Sequence, residues 1–384
     1  MIRVAGAELH ELVLPLAEPF VISGGAITER RSLIVKLADA EGRAGYGESP
    51  PFDLPFYSEE TLASARDIIG RVLLPRVVGR EFETIGALDA ALRIGVRGNP
   101  FARAGVETAA WDLVAARAHT SLAAELAASL GVAAAAAIPC GVALGIPPDR
   151  ELATLAAQIV TVLESGYHRV KIKVMPGWDV APVRRASEIL AGTGIPLTVD
   201  ANGAYEWPRD EAALRGMDAF GLLYIEQPLA PDELLGHAEL ARALRTPICL
   251  DETLRDARAA RQVVALGGPR IWNVKVHRVG GLTEAGRSWT IAREHGVRLW
   301  AGTMPESGIG SQAAIAAAAL PGFDLPSDLE PSTRWFGRNA DVVKLTVRPD
   351  GTMAVPRQPI GRLLDERRFR TSSERLLSLN AKHP

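Results

Sequence analysis

The chain has 384 residues, a length typical of two or three domains and too long for one small module. It carries 43 Lys and Arg residues against 45 Asp and Glu residues, a formal net charge of −2. That balance gives no electrostatic basis for a nucleic acid or an anionic membrane as a partner. The two cysteines, Cys140 and Cys249, are too few and too far apart for a disulfide framework or a zinc cluster, which favours a reducing, cytoplasmic setting.

The region up to about residue 120 contains strand-like runs followed by helical periodicity. The strand-like runs cover residues 9–15, 33–38 and 44–48 and predict a small antiparallel sheet. Helices are predicted over residues 58–74 and 100–116, where apolar residues recur at helical spacing.

Two loops in this region carry the first candidate ligand contacts. One, residues 20–25, joins the first strands, and the other, residues 50–57, is rich in proline and aromatic residues. Such loops are often plain turns, but exposed apolar side chains on loops also contact ligands. We therefore take Ile22, Phe56 and Tyr57 as candidate substrate-binding residues.

An uncharged stretch over residues 126–148 is long enough to span a bilayer. It is interrupted by Gly131, Pro139 and Gly141 and contains a weakly hydrophobic alanine run. We expect a helix end, a linker and a buried strand here, and no transmembrane segment.

From about residue 138, short β-branched runs alternate with helical stretches. The runs read CGVAL, HRVKIKV, PLTVD, LLYIEQP, PICLDE, IWNVKV and VRLWAG. They are too apolar for a half-exposed antiparallel sheet, so both faces must be buried, as in a parallel sheet covered by helices. The spacing favours an α/β barrel, which uses about 30 residues per strand–helix unit. Beyond it, residues 342–347 and 352–355 predict a hairpin that returns to the N-terminal sheet.

Charged residues end five successive strands of this predicted barrel. They are Lys173, Asp200, Glu226, Asp251 and Lys275, separated by 27, 26, 25 and 24 residues. Strand ends of a barrel surround one mouth, where such folds keep their active sites. The alternative is that ionisable residues end strands simply because the chain emerges into solvent there.

Three carboxylates that converge cannot all stay ionised unless a cation lies between them. Asp200, Glu226 and Asp251 form an all-oxygen set without His or Cys, which selects a hard ion. Mg²⁺ (or Mn²⁺) is favoured because it keeps coordination positions open for substrate. Such an ion can hold a substrate carboxylate and stabilise the charge that develops when the α-proton leaves.

The base for that step must be a lysine with a lowered pKa, because lysine ordinarily titrates at about 10.4. Lys171 and Lys173 lie two apart on one strand face, so each cation is expected to lower the pKa of the other. Lys275 lies across the ring and is positioned to serve the opposite face of the same carbon.

In this order, five motifs resemble the muconate-lactonizing-enzyme subgroup of the enolase superfamily over essentially the whole chain. They are Lys171-Ile172-Lys173, VDAN at 199–202, IEQP at 225–228, LDE at 250–252, and the lysine of NVKVHRVGG, Lys275. The resemblance implies an α/β fold, a modified TIM barrel of the (β/α)7β type with an N-terminal α+β capping domain. We expect the capping domain over residues 1–125, the barrel over 126–330, and a C-terminal segment, 331–384, that packs back on the capping domain.

The same resemblance implies a role for each motif residue. Lys173 and Lys275 would be the acid–base catalysts, Asp200, Glu226 and Asp251 would bind Mg²⁺, and Lys171 and Asn202 would support them. Arg278 resembles an arginine of racemase-capable members, although a surface or helix-capping arginine is an equal alternative. Gly302, Met304 and Glu306 belong to a segment that resembles the one bordering the substrate.

Within the subgroup, the chain is most similar to o-succinylbenzoate synthases and N-succinylamino acid racemases. Their shared first step is removal of a proton α to a carboxylate, giving an enediolate that either expels water or is reprotonated. Ala143 stands where relatives often carry a serine near the succinyl group, Pro305 replaces an aliphatic residue, and residues 328–332 also differ. These departures leave the acyl group open.

Other readings remain. A muconate-type cycloisomerase would use the same lysines and metal, and a non-catalytic relative would only bind a carboxylate ligand. His277 is weighed as a base, but Lys275 already holds the corresponding strand position. By analogy with the family, we expect a homo-oligomer that acts on a small carboxylate substrate.

Overall fold

The computed structural model describes residues 1–22, 25–337 and 340–381, without the side chains of residues 20–22, 25 and 26. Its strands are β1 (Ile2–Arg3), β2 (Gly6–Ile22), β3 (Gly25–Ala38), β4 (Ala44–Ser49), β5 (Glu81–Phe82), β6 (Ala137–Pro139), β7 (Val142–Leu144), β8 (Val170–Lys173), β9 (Leu197–Asp200), β10 (Ile225–Glu226), β11 (Ile248–Leu250), β12 (Ile271–Val274), β13 (Arg298–Ala301), β14 (Thr352–Ala354) and β15 (Ser373–Asn380).

The helices of the described residues lie between these strands, singly or in succession. They are α1 (Leu62–Ile68), continued by a π-helical turn (Ile69–Leu73) into α2 (Leu74–Val77), α3 (Ile85–Arg93), α4 (Pro100–Ala118), α5 (Leu122–Ser129), α6 (Leu152–Leu163), α7 (Val180–Leu190), α8 (Glu211–Asp218), α9 (Leu234–Ala243), α10 (Ala257–Ala265), α11 (Val276–Val279), α12 (Leu282–Glu294), α13 (Gly308–Ala318), α14 (Ser332–Trp335), α15 (Ile360–Leu363) and α16 (Glu366–Ser372). None of them is long and apolar enough to cross a membrane.

The N-terminal region packs an antiparallel sheet, ordered β15-β2-β3-β4, against helix α4. Contact between β4 and α4 is close because glycine faces glycine. A Cβ on Gly47 would lie 2.2 Å from the carbonyl oxygen of Gly105 and 2.5 Å from the amide nitrogen of Ala109. The buried Glu60 caps the start of α4 by accepting from the Phe101 amide at 2.7 Å.

The second region is the predicted barrel. Seven parallel strands run in the order β13-β12-β11-β10-β9-β8-β7. A further segment closes the ring: the Asp328 amide donates to the Ala301 carbonyl of β13 at 3.0 Å, and the Ser327 amide donates to the Pro139 carbonyl at 3.0 Å. The (β/α)7β architecture with an N-terminal α+β domain is therefore confirmed.

The predicted C-terminal hairpin is wrong in two respects. β14 pairs with β6, and of residues 342–347 only Val347 makes a bridge to it. The segment that returns to the N-terminal sheet is instead β15, which pairs antiparallel with β2. The turn residues Pro349-Asp350-Gly351 favour a local hairpin, whereas strand partners far apart in sequence leave no local signal.

Two buried glutamates of the N-terminal region cap barrel helices. Glu107 of α4 accepts from the amides of Leu282 and Thr283, each at 2.8 Å, at the start of α12. Glu48 of β4 accepts from the Ser307 amide at 3.0 Å, at the start of α13. Helix N-termini leave amides without internal partners and favour a negative charge, so these contacts fix the two regions against each other.

Candidate active site

The charged residues of the five motifs meet at one mouth of the barrel. Lys173, Asp200 and Glu226 are the last residues of β8, β9 and β10, and they are register neighbours. Asp251 and Lys275 directly follow β11 and β12. All three carboxylates are buried, and Asp200, the most exposed of them, is 2% exposed. Two lysines thus lie on either side of a ring of buried acids.

Lys173 is held by residues of the neighbouring strand end. Its Nζ lies 2.7 Å from Asp200 Oδ2 and also donates to Asn202 Oδ1. Asn202 adopts a left-handed backbone (φ 42°) and donates through Nδ2 to Glu252 Oε1 at 2.9 Å. The side chain of Lys173 is 34% exposed, so it remains accessible from the barrel mouth.

Lys171 lies deeper than Lys173 and bridges carboxylates. Its Nζ lies 2.8 Å from Glu226 Oε2, 2.6 Å from Asp328 Oδ2 and 3.6 Å from Asp200 Oδ2. Burial alone would lower the pKa of Lys171, but these carboxylates outweigh burial and hold it well above its usual value. The expectation of a lowered pKa at Lys171 is therefore wrong, because the acids around Lys171 dominate.

Asp328 belongs to the site although none of the five motifs contains it. It lies in the segment that closes the barrel and pairs with both Lys171 and the fully buried Arg169. Arg169 and Lys171 hold the pKa of Asp328 well below its usual range, against the effect of burial. Its run, FDLPSD, lacks β-branched residues, but a count of eight barrel strands would have pointed to it.

Lys275 is part of a second cluster that reaches into the capping region. Its Nζ lies 2.9 Å from Asp251 Oδ2 and donates to the Tyr57 hydroxyl oxygen at 3.1 Å. Arg278 also pairs with Asp251 and donates to Tyr57 at 3.3 Å. Burial lowers the pKa of Lys275, but Asp251, Tyr57 and Glu252 outweigh burial and hold it well above its usual value, so the expected lowering of a lysine pKa is not found at Lys275. Arg278 opposes them with a smaller lowering effect.

Two acids of the cluster have pKa values raised above their ordinary range. Burial, and next the Asp200 carboxylate, raise the pKa of Glu226 to about 8. Burial and Asp251 raise that of Glu252 to about 7. Asp251 itself is held well below its usual pKa by Arg278 and Lys275, which overcome the effect of burial. Additional positive charge at this position would therefore stabilise the ionised carboxylates.

The donor chemistry fits a hard divalent ion. Asp200, Glu226 and Asp251 offer only oxygen, and the buried Glu252 Oε2 has no hydrogen-bond partner among the described residues. Over residues 1–22, 25–337 and 340–381, no three His, Cys, Asp or Glu side chains form a ready ion-binding group. The lysine ammonium groups lie against the acids instead.

The candidate substrate-binding residues fall into different surroundings. Phe56 is 39% exposed and packs on Phe52, with ring centroids 4.6 Å apart. Met304 is buried beside Phe52, so it forms part of the packing between the capping loop and the barrel. The side chain of Ile22, like residues 23 and 24 of its loop, lies outside the described part of the chain.

Gly302 and Glu306 lie in the segment that follows strand β13. Glu306 is buried and accepts from the Met304 amide, and burial raises its pKa to about 7. A Cβ on Gly302 would lie 2.4 Å from Asn273 Oδ1, and Asn273 Nδ2 in turn donates to Glu226 at 2.9 Å. Gly302 therefore allows Asn273 to hold Glu226.

His277 is buried and electrically neutral at ordinary pH. Burial, and next Arg30, lower its pKa to about 3. Its Nε2 has no hydrogen-bond partner among the described residues. A small cavity lies beyond the end of β13 and is lined by residues that include Thr303, Glu306 and Asp328.

Comparison with known proteins follows the same division of the chain. Residues 154–362 match the model for the enolase C-terminal domain-like family. Residues 6–126 match the model for the mandelate racemase / muconate lactonizing enzyme N-terminal domain.

Individual relatives align over most of their length. The chain is 42% identical to an N-succinylamino acid racemase of Thermus thermophilus, over 92% of this chain and 92% of that protein. It is 36% identical to an o-succinylbenzoate synthase of Bacillus subtilis, over 94% and 93%. A solved enolase superfamily member from Listeria innocua superposes with a TM-score of 0.91 at 32% identity, covering 100% of both chains.

Proposed function

Because the chain belongs to the enolase superfamily, in its mandelate racemase and muconate lactonizing enzyme family, we propose that it removes a proton α to a substrate carboxylate. The acid–base residues are Lys173 and Lys275. The observation that carries this proposal is their position four strands apart in the barrel order, on opposite sides of the acid ring. A planar carbon between them would be open to one lysine on each face.

In this proposal Asp200, Glu226 and Asp251 hold Mg²⁺ (or Mn²⁺). When bound, the ion fixes the substrate carboxylate and stabilises the negative charge that develops on it. Lys171 orients Glu226 through their 2.8 Å contact, and Asn202 orients Lys173. These supporting contacts keep the charged groups in place while the proton moves.

One lysine accepts the α-proton to give an enediolate, and two outcomes follow. Loss of a β-hydroxyl as water makes the enzyme an o-succinylbenzoate synthase. Delivery of a proton to the opposite face by the second lysine makes it a racemase of N-succinylamino acids. Relatives bearing each of these names match the chain over more than nine-tenths of its length.

The test is proton NMR in D₂O with Mg²⁺ and a panel of N-succinyl and N-acetyl amino acids. Loss of the α-proton signal together with loss of optical rotation supports racemisation. Water loss from the precursor of o-succinylbenzoate supports the synthase. Lactonisation of cis,cis-muconate without any exchange would favour a cycloisomerase, and no reaction in any assay would favour a relative that only binds carboxylates.

Two variants test the assignment of the lysines. Lys275→Ala should abolish racemisation but leave α-proton exchange on the face served by Lys173. Lys173→Ala should show the converse, while the exposed Lys344→Ala serves as the control. Intact racemisation in either active-site variant would overturn the assignment.

Dependence on the ion is tested by chelation. Removing divalent ions should abolish exchange, and adding Mg²⁺ should restore it. Calorimetric titration with Mg²⁺ should detect binding that Asp251→Asn loses. Full exchange in the presence of chelator would contradict the assignment of the three carboxylates.

We further propose the division into residues 1–125, 126–330 and 331–384, and a homo-oligomer. The first family model ends at residue 126, which supports the first boundary, whereas the second runs from residue 154 to 362 and crosses the boundary at 331. The oligomeric state is measured directly by sedimentation equilibrium.

A further inference from the structure

The two lysines are held in place by different parts of the molecule. Among the described residues, Lys173 bonds to Asp200 and Asn202, both of the barrel. Lys275 bonds instead to Asp251 and to Tyr57, which ends the capping loop over residues 50–57. Proton transfer on the two faces of a substrate therefore has different structural requirements.

The Tyr57 hydroxyl oxygen accepts from two cations. Lys275 Nζ lies 3.1 Å from it and Arg278 Nη1 lies 3.3 Å from it. Because lysine and arginine are donors only, the Tyr57 oxygen accepts both bonds. The Lys275 ammonium also lies 5.0 Å from the centroid of the Tyr57 ring, within cation–π range. Burial raises the pKa of Tyr57 to about 12, so it remains a neutral phenol.

The loop that carries Tyr57 is fixed to the rest of the protein at its other end. Arg30 donates to the carbonyl oxygens of Pro50 and Pro51, the latter at 3.0 Å. Phe52 is buried and packs with Met304 of the barrel. The loop thus presents the Tyr57 hydroxyl at a defined place beside Lys275.

We propose that Tyr57 is a positioning residue for Lys275 and not for Lys173, so that the capping loop controls proton transfer on one face of the substrate only. The inference rests on the proposed function, in which each lysine serves one face. It assigns Tyr57 a task besides lining the substrate pocket. A residue that merely lined the pocket would affect both faces alike.

Tyr57→Phe tests the proposal because it keeps the ring and removes the hydroxyl. Starting from each pure enantiomer in D₂O, two rates are measured: inversion, and exchange with retention of configuration. In retention, a lysine removes the α-proton, exchanges it with solvent and returns a deuteron to the same face. Inversion needs both lysines, so it should slow from either enantiomer.

We expect the variant to slow inversion about tenfold, the effect of losing one hydrogen bond to a charged group. Exchange with retention should slow about tenfold for one enantiomer and change less than about twofold for the other. The affected enantiomer must be the one whose retention exchange Lys275→Ala abolishes. Tyr46→Phe, which removes a hydroxyl from the capping sheet, is the matched control and should leave both rates unchanged.

Four outcomes separate the possibilities. Equal slowing of retention exchange for both enantiomers, or no slowing, would overturn the positioning role. Slowing of the enantiomer that depends on Lys173 would overturn it as well. Absence of exchange in the wild-type protein with any substrate would instead refute the proposed function on which the inference rests.

Discussion

Asp328, like Asp251, pairs with two cations of the site. Both cations that pair with Asp328 are buried: the side chain of Arg169 is 0% exposed and that of Lys171 is 4% exposed. Removing one partner of a buried pair leaves an uncompensated charge, at a cost of about 3–5 kcal/mol. Asp328→Asn should therefore lower the free energy of unfolding by about 3 kcal/mol, measured by urea denaturation.

A surface pair provides the comparison for that variant. Asp324 pairs with Arg298 at 2.9 Å, and the two side chains are 51% and 48% exposed. Exposed pairs contribute about 0–1 kcal/mol, so Asp324→Asn should change stability by less than about 1 kcal/mol. Equal losses in Asp328→Asn and Asp324→Asn would show that the buried charges are compensated by other groups.

The residues that could be predicted from sequence are those that end strands. Lys173 and Asp200 follow apolar runs at regular spacing, and the structure has them at one barrel mouth. Asp328 could not be predicted in this way because the segment that closes the barrel is short and lacks β-branched residues. The contact between Tyr57 and Lys275 joins residues 218 positions apart, and local periodicity carries no signal for such a pairing.

At the scale of secondary-structure elements, the packing of strand β4 on helix α4 depends on the absence of a side chain at Gly47. Any Cβ at Gly47 would lie 2.2 Å from the Gly105 carbonyl oxygen, so Gly47→Ala must push the strand off the helix. Overpacking of this kind costs about 1–3 kcal/mol and sometimes more. We expect a loss of about 3 kcal/mol in the free energy of unfolding. Gly145→Ala is the control because a Cβ there meets no atom within 4 Å; similar losses in the two variants would refute the clash.

Asp112 of α4 links two other elements and makes stability depend on pH. Its oxygens accept from the Tyr46 amide of β4 at 2.9 Å and the Ile360 amide of α15 at 2.8 Å. Burial raises the pKa of Asp112 to about 7, from an unfolded value of about 3.9. A raised pKa means that the folded state binds the proton more tightly. The stabilisation is therefore complete below about pH 4 and is lost as the pH rises through about 7.

Asp112→Asn, which cannot titrate, isolates this effect. The stability of the wild-type protein relative to the variant should fall by about 1 kcal/mol per pH unit between about pH 5 and pH 7. It should then level off above about pH 8. Urea denaturation across this range measures the difference. A constant difference for Asp112→Asn would mean that the Asp112 carboxyl does not titrate in this range.

At the scale of the whole molecule, the C-terminus closes the N-terminal sheet. β15 pairs with β2 through residues 373–380 and covers one edge of that sheet. Ending the chain at Ser372 should expose the β2 edge, lower the thermal midpoint by several degrees and promote association. Circular dichroism and light scattering measure both effects, and a chain ending at Ala381 is the control. An unchanged midpoint would show that β15 contributes little.

The barrel could be predicted from the sequence more fully than the pairing of β15 with the N-terminal sheet. The βα alternation from about residue 138 has a regular period, so the sequence predicts the barrel correctly. The path of residues 331–384 has no such period. Val342 and Val343 look like a strand from composition, yet both are buried without being part of a named strand. Tertiary packing overrides β-propensity there.

The glutamate caps at the two helix starts bear on how such a chain can be recombined. A chimera that joins this capping region to the barrel of a relative keeps Glu48 and Glu107 but changes what they meet. Gly281 must remain small, because a Cβ there would lie 2.3 Å from Glu107 Oε2. A barrel with a side chain at position 281 would clash with Glu107 and leave this buried carboxylate without the helix amides that it caps. Relatives with a compatible barrel would therefore carry a glycine before α12, opposite Glu107, and a serine before α13, opposite Glu48.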